Sequence, residues 1–438
     1  MPALLIKNGR VIDPAAGLDG PADVLAEDGQ IRAVGRNLAG NGAEVFDASG
    51  LVVAPGFIDM HVHLREPGSE HSETIETGAK AAAAGGFTSI CCMPNTLPVN
   101  DNATVTSYII ERARHNAVVN VFPIGAITRN SAGEELAAIG SMKNAGIVAI
   151  SDDGRPVMNA RVMRRAMQMA RSFHLPVIDH CEDLNLSAGG DMHEGVHSTR
   201  LGLRGIPSSS EDVMVARDIL LAESSGARFH VAHISSRHSV NMVMFAKKQG
   251  LPVTCEATPH HFAITDAQIT AYDSSYKMKP PLRSECDVAA VIDGIVSGAV
   301  DAIATDHAPH PGSEKMQEFE KCPFGIIGLE TALGLSLEKL YHTGKISLGR
   351  LVELFSSGPA RILRLERGTL AVGAPADVTI FDPYLVWTYD VNLSHSKSKN
   401  TPFDGCTFRG GPIATVVAGA LVWQRENVGQ RTGHLTNI

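Results

Sequence analysis

The sequence predicts an α/β protein, a (β/α)8 TIM-type barrel with a small β domain built from both chain ends. Three observations support this fold. Eight short apolar runs rich in β-branched residues recur between residues 51 and 308, and helical patterns lie between them. Both chain ends instead carry only short strand patterns separated by turn signals such as Asn8-Gly9 and Asp28-Gly29.

The eight runs are the candidate barrel strands. They cover residues 51–63, 87–94, 118–128, 147–153, 176–181, 227–234, 252–257 and 302–308. Helical patterns separate them at 72–84, 103–115, 159–173, 211–225 (with Ser210 as its N-cap) and 239–249. Eight parallel strands close most economically into a barrel. An open doubly wound sheet is the alternative, but no glycine-rich dinucleotide loop follows the first strand.

The two chain ends are predicted to form one domain. Neither end has enough strands to bury a sheet face alone, so we expect them to pair. We assign residues 1–55 and 366–438 to this composite β domain and residues 56–365 to the barrel. A helical stretch at 329–340 and 348–356 connects the two parts.

Composition excludes several classes of protein. The 438 residues are 44% hydrophobic, enough for a large core, and carry 38 Lys and Arg against 47 Asp and Glu. This net charge of −9, without a long basic run, argues against a nucleic-acid or membrane partner. No apolar stretch is long enough to span a membrane, and the first residues lack a secretory signal pattern. Seven cysteines without a CxxC pair indicate reduced thiols, so we expect a cytoplasmic protein.

Histidines and carboxylates follow the predicted strands. His61 and His63 are two residues apart, so both rings project to the same side of an extended strand. Their counterparts at the ends of later strands are Asp152, Asp153, His180, His233 and Asp306. Four imidazoles, with carboxylates from two strand ends, at one barrel rim favour a zinc site, most readily two ions that share a carboxylate, although manganese, cobalt and iron stay open. The alternative, separate core hydrogen bonds for each residue, requires five coincidences.

Further polar residues lie near the same rim. Arg65 either binds a substrate carboxylate or lies in a surface loop. Asn95 either faces the pocket or forms a turn, and His310 either reaches the pocket or begins a loop. We expect structural roles for His260 and His261, which follow Pro259 in a turn. We expect His193 and His197 to lie in an exposed loop.

Four motifs together resemble the amidohydrolase superfamily and, within it, the bacterial class I dihydroorotases. They are Met-His-Val-His-Leu-Arg-Glu-Pro-Gly at 60–68, Met-Pro-Asn-Thr at 93–96, Asp-Asp-Gly at 152–154 and Ala-Thr-Asp-His-Ala-Pro-His at 304–310. The resemblance covers essentially the whole chain. It implies two zinc ions bridged by Asp153 and a hydroxide, with the remaining ligands divided between them. His61, His63 and Asp306 would bind one ion, and His180 and His233 the other.

The same resemblance implies a substrate pocket. Its residues would be His63, Arg65, Asn95, Lys279 and His310, with backbone groups of Phe324 and Gly325. Lys279 departs from the family pattern, which commonly has asparagine there. Residues 311–323 would form a mobile loop over the pocket.

The implied activity is the reversible, zinc-dependent cyclisation of N-carbamoyl-L-aspartate to (S)-dihydroorotate in pyrimidine (UMP) biosynthesis, with Asp306 as the proton-transfer residue. A hydantoinase or allantoinase is one alternative. A non-catalytic dihydroorotase-like partner of aspartate transcarbamoylase is another. We expect a homodimer, and association with aspartate transcarbamoylase stays open.

Overall fold

The computed structural model describes residues 3–40 and 42–426. Residues 1, 2, 41 and 427–438 of the predicted β domain lie outside the described residues. Residues 1 and 2 also belong to the N-terminal segment that is expected to lack a secretory signal. No helix within the described ranges is long and apolar enough to cross a bilayer.

The described part of the chain contains short strands alternating with helices. The strands are β1 (Leu4–Asp13), β2 (Leu18–Glu27), β3 (Gln30–Gly35), β4 (Glu44–Asp47), β5 (Val52–Pro55), β6 (Phe57–Val62), β7 (Phe87–Cys92), β8 (Asn120–Pro123), β9 (Val177–Asp179), β10 (Met192–His193), β11 (Gly205–Ile206), β12 (Phe229–Val231), β13 (Val253–Ala257), β14 (Ala302–Ile303), β15 (Val378–Thr388), β16 (Thr407–Val417) and β17 (Ala420–Gln424). The helices are α1 (Ile75–Ala84), α2 (Ala103–Asn116), α3 (Ile139–Ala145), α4 (Ala160–Ser172), α5 (Val196–Leu201), α6 (Ser209–Ser225), α7 (Arg237–Lys248), α8 (Pro259–Ala263), α9 (Glu285–Ser297), α10 (Gly312–Lys315), α11 (Ala332–Ser336), α12 (Leu348–Phe355) and α13 (Ser357–Leu363).

Parallel pairings close a ring of eight chain segments. Strands β6, β7 and β8 form one parallel sheet, and β9, β12, β13 and β14 form another. Ile150 joins the two sheets through single parallel bridges to Gly125 and Val177. A bridge between Val62 and His307 closes the ring. The predicted (β/α)8 fold is confirmed, although the fourth strand is reduced to the bridge at Ile150.

The helix α4 shows how the sequence fixes an outer helix of the barrel. The Asn159 side chain accepts hydrogen bonds from the amides of Arg161 and Val162, which caps the helix N-terminus. Its buried residues recur at helical spacing and face the strands; they are Val162, Met163, Ala166, Met167 and Ala170.

The predicted N-cap Ser210 is wrong, and the helix predicted at 329–340 is confirmed only in part. The helix α6 begins at Ser209, and the Ser210 hydroxyl donates to the Pro207 carbonyl instead of capping the helix. The helix predicted at 329–340 is the short α11 followed by a π-helical turn at Leu337–Tyr341. In both cases the chain enters the helix through a turn that helical periodicity does not register.

Strands from both chain ends form a separate eight-stranded sheet. Its order is β17-β16-β15-β5-β1-β2-β3, with β4 on the edge of β1. The link between the two ends is the antiparallel pairing of β5 with β15, in which Val53 lies opposite Ile380. This sheet buries its own apolar cluster, which includes Val11, Val24 and Val378. The domain boundaries at 55/56 and 365/366 stay a prediction.

The barrel positions polar side chains where its strands end. Strand β6 carries His61, and the strands β9 and β12 end one and two residues before His180 and His233. The backbones of His233 and Asp306 have positive φ values of 31° and 48°. Non-glycine residues rarely adopt this region, and such strain concentrates at functional sites.

Candidate active site

Two histidines and two carboxylates meet at one barrel rim. His61 Nε2 lies 3.3 Å from Asp153 Oδ1 and 3.5 Å from Asp306 Oδ1. His63 Nε2 lies 3.0 Å from Asp306 Oδ1 and 3.5 Å from Asp153 Oδ2. All four side chains are buried. The structure therefore brings together residues that are up to 245 positions apart in the sequence.

The remaining two predicted ligands lie slightly farther from Asp153. His180 Nδ1 and His233 Nε2 are 2.8 Å apart. Their distances to Asp153 Oδ1 are 3.9 and 3.8 Å. Asp153 thus faces all four imidazoles, as a bridging ligand requires.

The residues present fit a metal site. Within the described residues, His61 Nε2 and Asp153 Oδ1 are buried without a hydrogen-bonding partner, an arrangement that costs free energy unless another group satisfies them. The candidate ligand atoms of His61, His63 and Asp306 all lie within 4.8 Å of one another. The same holds for those of His61, Asp153 and His233. A set of imidazole and carboxylate donors suits zinc.

The electrostatics of the cluster favour anionic carboxylates. Burial alone would raise the pKa values of Asp153 and Asp306, but the nearby His61 and His63 hold both below their ordinary range. Burial alone would likewise lower the pKa of His61, which the two carboxylates instead raise well above its ordinary value. Deprotonated carboxylates are the form that binds a metal ion.

Two glutamates that sequence reasoning missed fix the orientation of the histidines. Glu256 on β13 lies 2.8 Å from His61 Nδ1 and 3.2 Å from His230 Nε2. Glu182 lies 3.0 Å from His180 Nε2. Burial opposes ionisation of both glutamates, but the adjacent histidines lower each pKa to about 2. These carboxylates occupy one nitrogen of each ring and leave the other directed at the cluster.

Asp152, the neighbour of Asp153, has a structural role. Its carboxylate accepts from the amides of Ile127 and Thr128 and from the Thr128 hydroxyl. Burial raises the pKa of Asp152 to about 6 despite these donors. It therefore holds the loop after β8 against the fourth barrel segment.

The residues expected to bind substrate line the wall beside the cluster. His63 Nδ1 lies 3.0 Å from Asn95 Oδ1, and Arg65 Nη2 lies 3.3 Å from His310 Nε2. The same His310 atom is 2.9 Å from the Phe324 carbonyl oxygen. Burial and the neighbouring cations Arg65 and Lys315 lower the pKa of His310 to about 3, so its ring is neutral. Their contacts with substrate stay a prediction.

Lys279 is paired with a carboxylate. Its Nζ lies 2.8 Å from Glu182 Oε1 and 5.0 Å from the centre of the Phe324 ring. Through Glu182, this lysine is linked to the candidate ligand His180. A role in substrate binding stays a prediction for Lys279.

The loop predicted to cover the pocket contains the short helix α10, and Lys315 anchors it. The Lys315 ammonium donates to the carbonyls of Lys277, Pro323 and Gly325. The mobility of residues 311–323 stays a prediction.

The exposed-loop prediction is wrong for His193 and for His197, and the neighbouring His260 and His261 differ from each other. His193 is buried on β10, 3.4 Å from Arg283 Nη1, because this glycine-rich stretch folds against a buried cation. His197 is partly exposed but lies on the helix α5 and not in a loop. His261 bridges Thr258 and the Pro280 carbonyl, which is a structural role. His260 is buried with a free Nε2 within the described residues, and burial lowers its pKa to about 4.

The cysteines agree with the sequence interpretation in part. All seven are unpaired, and Cys91, Cys92, Cys181, Cys255 and Cys322 are buried. Cys286 is exposed and Cys406 is partly exposed, so these two are not core residues.

The (β/α)8 barrel with a flanking β sheet is a fold that this chain shares with solved structures of cyclic amide hydrolases. Three solved structures share it over nearly the whole chain. The L-hydantoinase (dihydropyrimidinase) of Arthrobacter aurescens aligns with a TM-score of 0.88 and 26% identity, covering 97% of this chain and 96% of that one. The dihydropyrimidinase of Brevibacillus agri NCHU1002 has a TM-score of 0.84 and 26% identity, with 96% and 95% covered. The D-hydantoinase of Thermus sp. has a TM-score of 0.81 and 27% identity, with 95% and 94% covered.

Sequence comparisons narrow the class further. The model of the dihydro-orotase-like family matches residues 50–239. The dihydroorotase of Solibacter usitatus (strain Ellin6076) is 68% identical over 97% of this chain and 99% of its own length. That of Pelotomaculum thermopropionicum is 55% identical over 96% and 98%. The chain belongs to the dihydroorotase family and is an enzyme, a cyclic amide hydrolase.

Proposed function

We propose that this chain catalyses the zinc-dependent interconversion of N-carbamoyl-L-aspartate and (S)-dihydroorotate in pyrimidine (UMP) biosynthesis. The observation that supports the proposal is that the Asp153 carboxylate lies between 3.3 and 3.9 Å from a ring nitrogen of each of the four imidazoles, His61, His63, His180 and His233. Two zinc ions would be held there, His61, His63 and Asp306 holding one, His180 and His233 the other, and Asp153 both. When bound, such ions supply a water of lowered pKa and a Lewis acid for the ring carbonyl.

Asp306 is the proposed proton-transfer residue. Its carboxylate is kept anionic by His61 and His63, so it is able to accept a proton. In ring opening, water adds to the ring carbonyl and the carbon–nitrogen bond breaks. Asp306 then accepts the proton released by the attacking water and delivers it to the departing nitrogen. In ring closure it removes a proton from the same nitrogen as the carbon–nitrogen bond forms and returns it to the oxygen that leaves as water.

Arg65, Asn95 and His310 form the proposed substrate-binding wall, together with the backbone of Phe324 and Gly325. Arg65 is the cation beside the neutral His310, and a guanidinium binds a carboxylate through two parallel hydrogen bonds. Dihydroorotate carries such a carboxylate. This pocket therefore favours dihydroorotate over hydantoin or allantoin, which have no carboxylate to bind.

The complete set of candidate ligands favours an active enzyme over a non-catalytic partner of aspartate transcarbamoylase. Homodimerisation, association with aspartate transcarbamoylase and a cytoplasmic location remain proposals from the sequence. Size-exclusion chromatography of the chain alone and mixed with that enzyme tests the first two.

A side-by-side assay tests the proposed substrate. Zinc-loaded enzyme is given dihydroorotate, hydantoin and allantoin at matched concentrations. The proposal predicts that kcat/KM for dihydroorotate exceeds the other two by at least about a hundredfold, since the Arg65 contact is charge-assisted. A preference for hydantoin or allantoin would overturn it.

A further inference from the structure

A segment between β15 and β16 contacts loops that follow two of the barrel strands. Residues 394–400, here called the strap, follow β15 and a short helical turn. The Ser396 hydroxyl and the Lys397 amide bind Glu73, and the Ser398 hydroxyl donates to the Ser72 carbonyl at 2.6 Å. The strap is thus attached to the loop before α1.

The last residue of the strap, Asn400, contacts two segments of the substrate-binding wall. Its side-chain amide nitrogen donates to the carbonyls of Ala308 and Gly325, at 3.0 and 2.9 Å. Its side-chain oxygen accepts from the His310 amide at 3.1 Å. Asn400 is buried, so both donor positions and the acceptor are used inside the protein.

The two segments that Asn400 connects approach each other closely. Gly325 has a φ of +136°, and a Cβ atom there would lie 2.7 Å from the Ala308 Cβ and 2.8 Å from its carbonyl oxygen. Glycine is therefore required at this position. The carbonyls of Ala308 and Gly325 both face the Asn400 amide nitrogen. A side-chain amide donates to two carbonyls while its oxygen accepts from a neighbouring N–H.

We propose that Asn400 is a positioning residue for substrate binding. It fixes the backbone of His310 and Gly325, and through them the distance between His310 and the Phe324 segment. Substrate affinity therefore depends on a residue of the strap that touches no substrate atom. The inference rests on the proposed function, because it takes His310, Phe324 and Gly325 as the substrate-binding wall.

Two variants of Asn400 and one control test the proposal. Asn400→Ala removes all three side-chain hydrogen bonds. Asn400→Asp keeps the shape and the acceptor but places a carboxylate oxygen against two carbonyls. Ser398→Ala removes the tether to Ser72 and leaves the contacts of Asn400 in place, so it reports the cost of loosening the strap alone.

Steady-state kinetics with dihydroorotate and zinc analysis supply the first readout. We expect both Asn400 variants to raise KM about tenfold, with kcat within about threefold and zinc content unchanged. Ser398→Ala is expected to lower the Tm while KM stays at the wild-type value. Wild-type KM in both Asn400 variants, or an equal rise in Ser398→Ala, would overturn the proposal.

Hydrogen–deuterium exchange of the zinc-loaded protein supplies a readout independent of activity. Peptides that cover residues 308–310 and 324–326 should exchange faster in both Asn400 variants than in the wild type or in Ser398→Ala. Unchanged exchange contradicts the positioning role. Failure of the wild type to turn over dihydroorotate contradicts the proposed function instead, so the two failures are distinguishable.

Discussion

His61 Nδ1 lies 2.8 Å from the carboxylate of Glu256 on β13, which is separated from β6 by β14 in the closed ring of strands. The contact fixes the ring so that Nε2 faces Asp153 at 3.3 Å. Glu256 is fully buried and also binds His230, so its negative charge is compensated on two sides. The geometry of the candidate metal site therefore depends on a carboxylate that is not itself a ligand.

Glu256→Gln is expected to weaken zinc binding about 10–100-fold. The neutral amide lacks the negative charge with which the carboxylate fixes the orientation and tautomer of the His61 ring. Competition with a chromophoric chelator measures the affinity. Glu76→Gln, an exposed change on α1 that breaks only the ion pair with Lys80, is the control. Equal affinities in Glu256→Gln and the wild type would remove Glu256 from the support of the site.

Asp306→Asn is expected to lower kcat for dihydroorotate by about 10²–10⁴-fold, since the amide cannot accept a proton. Circular dichroism and zinc analysis establish that fold and metal are retained. Turnover within a few-fold of the wild type would exclude Asp306 as the proton-transfer residue.

Arg65→Ala is expected to raise KM for dihydroorotate about 10–100-fold while kcat changes less, because a charge-assisted hydrogen bond to the carboxylate is lost. Arg114→Ala serves as the control, since Arg114 is exposed and pairs only with Glu111 on α2. An unchanged KM would place the carboxylate-binding cation elsewhere.

The pH dependence of stability has a predicted contribution from Glu330. Burial raises its pKa from 4.5 to about 7, an effect that Lys399 opposes and Glu73 reinforces. The folded state therefore binds this proton more tightly than the unfolded state, so the free energy of unfolding falls as pH rises from about 4.5 to 7. Above that window the loss is complete.

Glu330→Gln removes this titration but keeps the acceptor for the His395 amide and the Ser394 hydroxyl, which both bind Oε1. We expect the variant to be more stable than the wild type at pH 8, by up to about 3 kcal/mol. The advantage should disappear near pH 4.5. Urea unfolding at the two pH values measures it, and an equal difference at both would contradict the assignment.

Much of the candidate site was predictable because its signals are local. The spacing of His61 and His63 places both rings on one side of a strand, and the other ligands each follow an apolar run that ends at the same rim. The pairing of the chain ends followed from strands too few to fold alone. These inferences need only periodicity and the geometry of parallel strands.

The supporting residues were not predictable because their contacts are long-range. Glu256 lies in an ordinary strand pattern, and only the barrel register shows that it faces His61, 195 positions away. Asn400 lies in a Ser- and Lys-rich stretch typical of an exposed loop, yet it binds His310 across 90 positions. The one sequence signal for Glu256 is that a carboxylate interrupts an apolar strand, where burial would require a partner for its charge.

The most direct test of the account is a zinc titration of the metal-free wild type and of Asp153→Asn, followed by bound zinc per chain and by dihydroorotate turnover. The account predicts two zinc ions per wild-type chain and activity that rises with zinc occupancy. It predicts that Asp153→Asn loses both zinc binding and activity. Full turnover by the metal-free wild type, or undiminished zinc binding and activity in Asp153→Asn, would contradict it.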